Sequence, residues 1–431
     1  MDISVFVLII SFVILLALNV PIAISIGIST ILTMIFTIAP GPAITTVAQQ
    51  MATGINSFAL LAIPFFILSG LLMGRGGIAR RLIDFAKVVV GTFPGGLAYV
   101  NIVACMFFGA ISGSAVAATS AIGGFMIPSM NKEGYDKNFN TALTVTASTT
   151  GLLIPPSNIL IVYSLASGGV SIAALFIAGY LPGILVGMGL IAVAAFTAVI
   201  KGYPKGERYS FIYAGKKLLD AVPSLLLIYI VIGGIIAGVF TATEASAVAV
   251  IYSLILAVVV YREVKIKDLP GILLKTVETT AIVMLLIGTS KAMSWILSYE
   301  NIPQNITAAL VGMTDSTIVI LLIINVLLLI VGTFMDMTPA VLIFTPIFLP
   351  VVVELGIEPL HFGIMMVLNL SIGLCTPPVG SVLFVGCGIG QTSISKLVRP
   401  LLPFYIAMII ALMLVTYIPE LSLWLPSLFG Y

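Results

Sequence analysis

Apolar stretches long enough to cross a bilayer, roughly 20 residues each, follow one another along almost the whole chain, separated by short polar joints. They predict crossing helices near residues 3–19, 21–38 and 56–73, then 139–165, 171–200, 221–240, 244–261 and 276–298, and finally 362–390 and 401–418. Two further stretches, about 92–130 and about 317–353, are too long for one straight crossing and are broken by small and polar residues near their middles. The pattern predicts an all-α polytopic membrane protein. Stretches such as 39–58 and 298–316 carry weaker apolar patterning and read as loops.

Composition agrees with lipid as the solvent. Of 431 residues, 60% are hydrophobic and 8% are charged, against roughly 25% charged in an ordinary soluble domain. The first apolar stretch begins Met1-Asp2-Ile3 without a basic n-region and runs directly into a second at Pro21, so it reads as a permanent helix rather than a removable signal peptide. Three cysteines (Cys105, Cys375 and Cys387) and one histidine offer neither a disulfide framework nor a metal cluster. No phosphate-binding loop of the G-x-x-x-x-G-K-[ST] type occurs. Uphill transport would therefore draw on an ion gradient or a partner.

The net charge of +2 matters less than where the charges fall. Seventeen of the 18 basic side chains lie in clusters at 75–87, 132–137, 201–217, 262–275 and 396–399; only Lys291 stands apart. The positive-inside rule assigns those clusters to the cytoplasm, which puts the N-terminus outside, in the periplasm of a bacterial cytoplasmic (inner) membrane. The 92–130 stretch has basic residues on both flanks, Lys87 before it and Lys132 and Lys137 after it, and so reads as a re-entrant hairpin. The 317–353 stretch has none; Asp315 precedes it and Glu354 and Glu358 follow, so it begins and ends on the outer face. Two full crossings in place of each hairpin are the alternative, but they would put one basic flank outside. The hairpin reading gives two inverted-topology repeats, residues 1–200 and 218–431, each with five crossings and a hairpin. They are joined by the basic cytoplasmic linker 201–217, KGYPKGERYSFIYAGKK. Inverted repeats with discontinuous helices are typical of secondary transporters, whose sites lie at the repeat interface.

Four polar breaks interrupt the apolar pattern. Ser112-Gly113-Ser114 lies in the first hairpin and Pro155-Pro156-Ser157-Asn158 in the crossing that follows. Gly332-Thr333-Phe334-Met335-Asp336 lies in the second hairpin, and Thr376-Pro377-Pro378-Val379-Gly380 in its following crossing. Ser112 precedes Pro155 by 43 positions and Thr333 precedes Pro377 by 44. Consecutive prolines remove amide donors and block the preceding turn's helical bonds, and irregular backbone at membrane depth is tolerated only where protein or a water-filled cavity covers it. Freed carbonyls with neighbouring Ser, Thr and Asn oxygens suit a hard alkali cation. The N-terminal ends of half-helices present amides to an anion. One proline break alone would read as a kink; four, paired by position, point to binding sites.

The segments GAISGSAVAATSAIG, GLLIPPSN, GTFMDMTP and NLSIGLCTPPVGS, with Trp295 and the following YENIP, resemble the large membrane subunit of TRAP (tripartite ATP-independent periplasmic) transporters over nearly the whole chain. That resemblance implies an elevator-type fold related to divalent-anion/sodium symporters, and sodium-coupled import of a small carboxylate. It implies a small four-helix membrane subunit, here expected as a separate polypeptide, and a periplasmic substrate-binding protein. It implies no cofactor beyond coupling sodium ions and no nucleic-acid partner. Carried over by position, one sodium site would use Ser112, Gly113, Ser114, Pro155, Pro156 and Asn158. A second would use Gly332, Thr333, Asp336, Thr376, Pro377 and Gly380. Substrate is expected between the two tips, near Ser112, Ser157, Thr333, Thr376 and Pro378. C4-dicarboxylates, sialic acid, other sugar acids and 2-oxo acids all fit such a pocket.

Other residues carry several readings each. Asp336, the acid at a predicted tip, could ligate sodium, carry a proton, cap the second half-helix or face an outer vestibule. Lys291 could attract a carboxylate or snorkel to the outer interface beside Trp295. His361 reads as a surface or packing residue, and Glu244 as the first-turn acid of a helix. An intramembrane protease would need a Ser–His pair at depth or two facing aspartates, and neither pattern is present. A channel could use broken helices, but usually shows oligomeric pore rings rather than inverted halves.

Overall fold

A computed structural model describes residues 3–206, 210–314 and 316–431. Asp315 and the 207–209 part of the expected linker lie outside the described residues, as do Met1 and Asp2 at the N-terminus. The described chain is helical throughout. It opens with α1 (Ile3–Ala17), α2 (Ile22–Thr37), α3 (Pro40–Ile55), α4 (Ala62–Arg75) and α5 (Ile78–Val90). The first hairpin is α6 (Gly96–Ser112) and α7 (Ala115–Lys132), followed by the broken pair α8 (Lys137–Thr150) and α9 (Asn158–Ala166). Next come α10 (Ile172–Lys201), α11 (Phe211–Ile236), α12 (Ala242–Leu254), α13 (Leu269–Tyr299) and α14 (Ile302–Met313). The second hairpin is α15 (Thr317–Phe334) and α16 (Met337–Glu354), with the broken pair α17 (Pro359–Gly373) and α18 (Ser381–Gly390). The chain closes with α19 (Ile394–Tyr417) and α20 (Glu420–Leu428).

Four segments depart from the expected layout. The stretch 39–58 holds the 16-residue helix α3, and 298–316 holds α14. Both begin with proline in the first turn, where a missing amide costs nothing. The basic segment after α4 is the helix α5, which buries Ile78, Ala79, Leu82, Ile83 and Ala86 and turns Arg80 and Lys87 away from them. That three-and-four spacing marks an amphipathic helix. The linker also ends earlier than its charge pattern suggested, because α11 begins at Phe211.

Two groups of helices emerge from the packing. α13 lies against α2, α3 and α4, while α12 lies against α4 and α11. The second group interleaves the hairpins: α6 and α7 pack on α8, α15 and α16 on α17, α18 on α7 and α8, and α9 on α16. α8 is encased. Thr141, Thr144, Thr146, Ser148, Thr149 and Thr150 are all buried, and each hydroxyl is satisfied by a carbonyl three or four residues back. Glu244 completes a capping box with Thr241 at the start of α12.

Candidate functional site

Each hairpin tip touches the break of the crossing that follows it. In the first, Gly109 of α6 meets Gly151 at the end of α8 backbone to backbone; a Cβ on Gly109 would lie 2.8 Å from the Gly151 Cα. Small residues permit such close helix approach in lipid. The tip residue Gly113 has φ +61°, and a Cβ there would lie 2.9 Å from the Asn158 Nδ2. Ser114 caps α7, its Oγ accepting from the Ala117 amide at 3.2 Å. The break folds back on itself: Leu152 N–H bonds to Thr149 O, Leu153 N–H to Thr150 O, and Ser157 Oγ to Leu152 O.

The second hairpin repeats the arrangement. Gly332 of α15 meets Gly373 at the end of α17, and a Cβ on Gly373 would lie 2.5 Å from the Gly332 Cα. Gly380, φ +55°, donates its N–H to the Thr333 carbonyl at 3.2 Å, which ties tip to break. The carbonyls of Leu374 and Thr376 converge on Gly380, within 2.8 and 3.0 Å of where its Cβ would stand. Both Pro155–Pro156 and Pro377–Pro378 bonds are cis. A buried polar contact braces each hairpin about three turns below its tip: Asn101 Nδ2 donates to Thr144 Oγ1 at 2.6 Å, and Asn369 Nδ2 to Asn325 Oδ1 at 2.7 Å.

The two tips share one cavity of about 300 Å³. Ser112, Gly113 and Ser114 line it from one side, Asp336, Met337 and Thr338 from the other, and Asn158 and Leu374 come from the two breaks. Thr279 and Val283 of α13, with residues of α4, close it. Asp336 stands at the N-cap position of α16 but makes no capping hydrogen bond. Its Oδ1 receives a long contact from Ser381 Oγ at 3.5 Å, its carboxylate also meets the Met337 backbone amide, and it lines the cavity. Asn158 Oδ1 is buried and has no hydrogen-bond partner. A buried amide oxygen left unpaired costs about 1–3 kcal/mol, so this side chain, whose Nδ2 lies against the tip glycine, asks for a ligand at its oxygen.

The expected site residues therefore divide. Ser112, Gly113, Ser114, Asn158 and Asp336 face the shared cavity. Pro155, Pro156 and Ser157 are buried within the first break. Thr333 and Thr376 line a different hollow, of about 340 Å³, beside Tyr405, whose hydroxyl donates to the Cys375 carbonyl. Gly380 is buried, Pro377 half-buried and Pro378 exposed. His361 is buried, with its Nε2 3.3 Å from the Thr416 carbonyl. The glycine crossings, the asparagine braces and the contribution of α13 were not read from the sequence. The recurrence of Asn101 and Thr144 at nearly the spacing of Asn325 and Asn369 was the signal available.

Helices that stop at a polar tip or a proline break, facing each other across one cavity in an otherwise apolar bundle, define a membrane transport protein. The family described as the tripartite ATP-independent periplasmic transporter, DctM component, matches residues 9–421. A Salmonella typhimurium protein, YgiK, itself uncharacterised, is 55% identical over 97% of this chain and 96% of its own length. The C4-dicarboxylate TRAP transporter large permease protein DctM of Rhodobacter capsulatus is 39% identical, covering 96% of this chain and 97% of its own. The crystal structure of the YdaH transporter of Alcanivorax borkumensis superposes with a TM-score of 0.59 over 90% of this chain and 88% of that one, at 14% identity, a likeness of fold. The chain belongs to the DctM family of TRAP transporter large permeases. It is a multi-pass membrane transporter component, not an enzyme.

Proposed function

We propose that this permease imports a small carboxylate in symport with sodium across the bacterial inner membrane. Its N-terminus is periplasmic. A small membrane subunit and a periplasmic binding protein complete the system. Sodium binds where a tip meets a break. The observation that carries this reading is Asn158, which lines the shared cavity with its Nδ2 against Gly113 and whose buried Oδ1 has no hydrogen-bond partner among the described residues. With Ser112 and Ser114 it offers neutral oxygens of the kind a hard cation takes, and the carbonyls of Leu374 and Thr376, converging on Gly380 next to Ser381, which contacts Asp336, offer a second set. Cation binding draws each tip onto its break, and the ordered tips form the carboxylate pocket between them.

The interleaved hairpins and broken pairs, α6–α9 with α15–α18, are proposed to move as one body against α1–α4 and α11–α14. Their mutual packing supports this, as does the tips' stopping beside the breaks, which favours re-entrant hairpins in two inverted halves. A second reading has an observation of its own: Asp336 lines the cavity with no ion-pair partner among the described residues, which favours a proton carrier in sodium's stead.

The test is a melting temperature of the purified permease with its small subunit, taken across sodium concentrations with potassium holding ionic strength constant. A ligand for the native state alone raises stability with its concentration. A saturable rise specific to sodium, followed by sodium-driven uptake of one carboxylate from a panel into proteoliposomes, is the expected result. Identical curves in sodium and potassium, with uptake driven by a pH gradient, would replace sodium by the proton.

A further inference from the structure

A second cavity, of about 240 Å³, lies farther along α13. Thr279 and Val283 of that helix face the inter-tip cavity; Ile287, Ser290, Lys291 and Ser294 face this one. From Val283 to Lys291 is eight residues, about 12 Å along a helix axis. α13 rises from the basic, cytoplasmic end at Lys265 and Lys267, so the second cavity sits on the outer side of the first. Its walls come from both helix groups: Thr53, Gly54 and Ser57 from α3 and its end, and Leu165, Ala166, Leu342 and Pro346 from α9 and α16.

We propose that this cavity is a carboxylate-binding station on the outer side of the transport site, with Lys291 as its cation. The inference rests on the import reading given above. Among the described residues no carboxylate forms an ion pair with Lys291. Gly54 leaves room for the lysine stem, since a Cβ there would stand 2.7 Å from the Lys291 Cβ. Beside it, Ser290 is 3% exposed and its hydroxyl has no hydrogen-bond partner. Thr53, Ser57 and Ser294 add hydroxyls around the same space. An ammonium beside an unsatisfied buried hydroxyl and further neutral donors makes a site for a carboxylate, which needs one positive charge and several donors. The two cavities are complementary in charge. Among the described residues, this one has a cation and no acid in its walls, whereas the inter-tip cavity has Asp336 and no basic residue. An incoming anion meets attraction here before it meets a pocket that sodium must first neutralise. A lysine that only snorkels would answer to lipid phosphate instead.

The experiment is lysine footprinting of the permease with its small subunit in dodecyl maltoside, free of phospholipid. Sulfosuccinimidyl acetate is the label, read by mass spectrometry. The probes are succinate and N-acetylneuraminate, compared with potassium chloride at equal ionic strength. One of the carboxylates should slow acetylation of Lys291 at least threefold and leave Lys265 and Lys137 unchanged, and Ser290→Ala should lessen that protection. In proteoliposome uptake, Lys291→Gln should raise KM for the transported carboxylate at least fivefold with kcat nearly unchanged, and Lys291→Arg should restore it. No protection by either probe, or an unchanged KM in Lys291→Gln, overturns the station. Failure of the wild type, supplied with both its small subunit and its periplasmic binding protein, to take up any carboxylate would instead overturn the import reading, whatever the footprint gives.

Discussion

Replacing Gly373 by alanine tests whether tip and break together form the cation site. The new Cβ would stand 2.5 Å from the Gly332 Cα, 2.6 Å from its carbonyl carbon and 2.9 Å from its oxygen. Carbon atoms pack best at about 3.5–4.0 Å, so α15 and α17 must part by about 1 Å. The obstructing atoms are backbone, so no rotamer change relieves the clash, and overpacking of this kind costs about 1–3 kcal/mol. Thr333 follows Gly332 directly, and its carbonyl holds the Gly380 N–H at 3.2 Å. Parting the helices by about 1 Å carries that contact to about 4 Å, beyond hydrogen-bond range. Carried into cation binding, 1–3 kcal/mol corresponds to roughly 5- to 150-fold weaker affinity. The assay is the sodium dependence of the melting temperature. Gly388→Ala on α18 is the control, because a Cβ there meets nothing within 4 Å. Alanine in a helix interior should leave the control as stable as the parent or better by up to about 1 kcal/mol. Gly373→Ala should raise the sodium half-saturation at least fivefold while the control keeps it. A Gly373→Ala protein with parental sodium response and uptake would refute the idea that tip–break contact builds the site.

Three further substitutions separate the roles of single groups. Asp336→Asn keeps size and removes charge; sodium affinity should fall about tenfold, about 1.4 kcal/mol, and an unchanged half-saturation in the melting assay would exclude the carboxylate as a ligand. Asn158→Ala deletes the unpaired oxygen and should weaken sodium binding by a similar factor, whereas a parental sodium titration would leave that oxygen without a ligand role. Asn369→Leu removes the bonds to the Asn325 carbonyl and side chain, 2.9 and 2.7 Å. Interhelical hydrogen bonds in lipid contribute about 0.6 to 2 kcal/mol, so the sodium-free melting temperature should fall, and an unchanged one would make this brace incidental.

The sequence was most legible where physics leaves few options. Crossings such as α10, α13 and α19 followed from length and hydropathy. Both polar tips and both proline breaks stood out because polar backbone is so costly in lipid. α3 and α14 were not legible as helices, because Thr45, Thr46, Gln49 and Gln50, or Gln304 and Asn305, lower the apolar signal that distinguishes a membrane helix from a loop. The partition of the second candidate set was hidden for a different reason. Thr333 and Asp336 are three apart in sequence, but α15 ends between them, and the turn sends one toward Tyr405 and the other into the shared cavity. Lys291 was visible as the one basic residue outside the clusters; its neighbour Ser290, buried and unpaired, was not.

The charge of the shared cavity bears on why cation and anion would move together. Among the described residues its walls carry Asp336 and no basic side chain. A carboxylate about 6 Å from an ionised Asp336 is repelled by about 1.4 kcal/mol at an effective dielectric of about 40, between protein and bulk-water values. That is roughly a tenfold loss of affinity. In the proposed symport a sodium ion beside Asp336 would cancel the repulsion, and one further sodium at the Asn158 break would turn it into an attraction of similar size. The swing is then about 3 kcal/mol, a factor of roughly a hundred in anion affinity. By linkage the anion strengthens sodium binding by the same factor. A pocket with arginine or lysine in its walls would hold the carboxylate without sodium and lose that dependence. In the proposed symport the lack of basic residues at the tips would couple the two fluxes, and Asp336 would strengthen the coupling by penalising an anion that arrives alone.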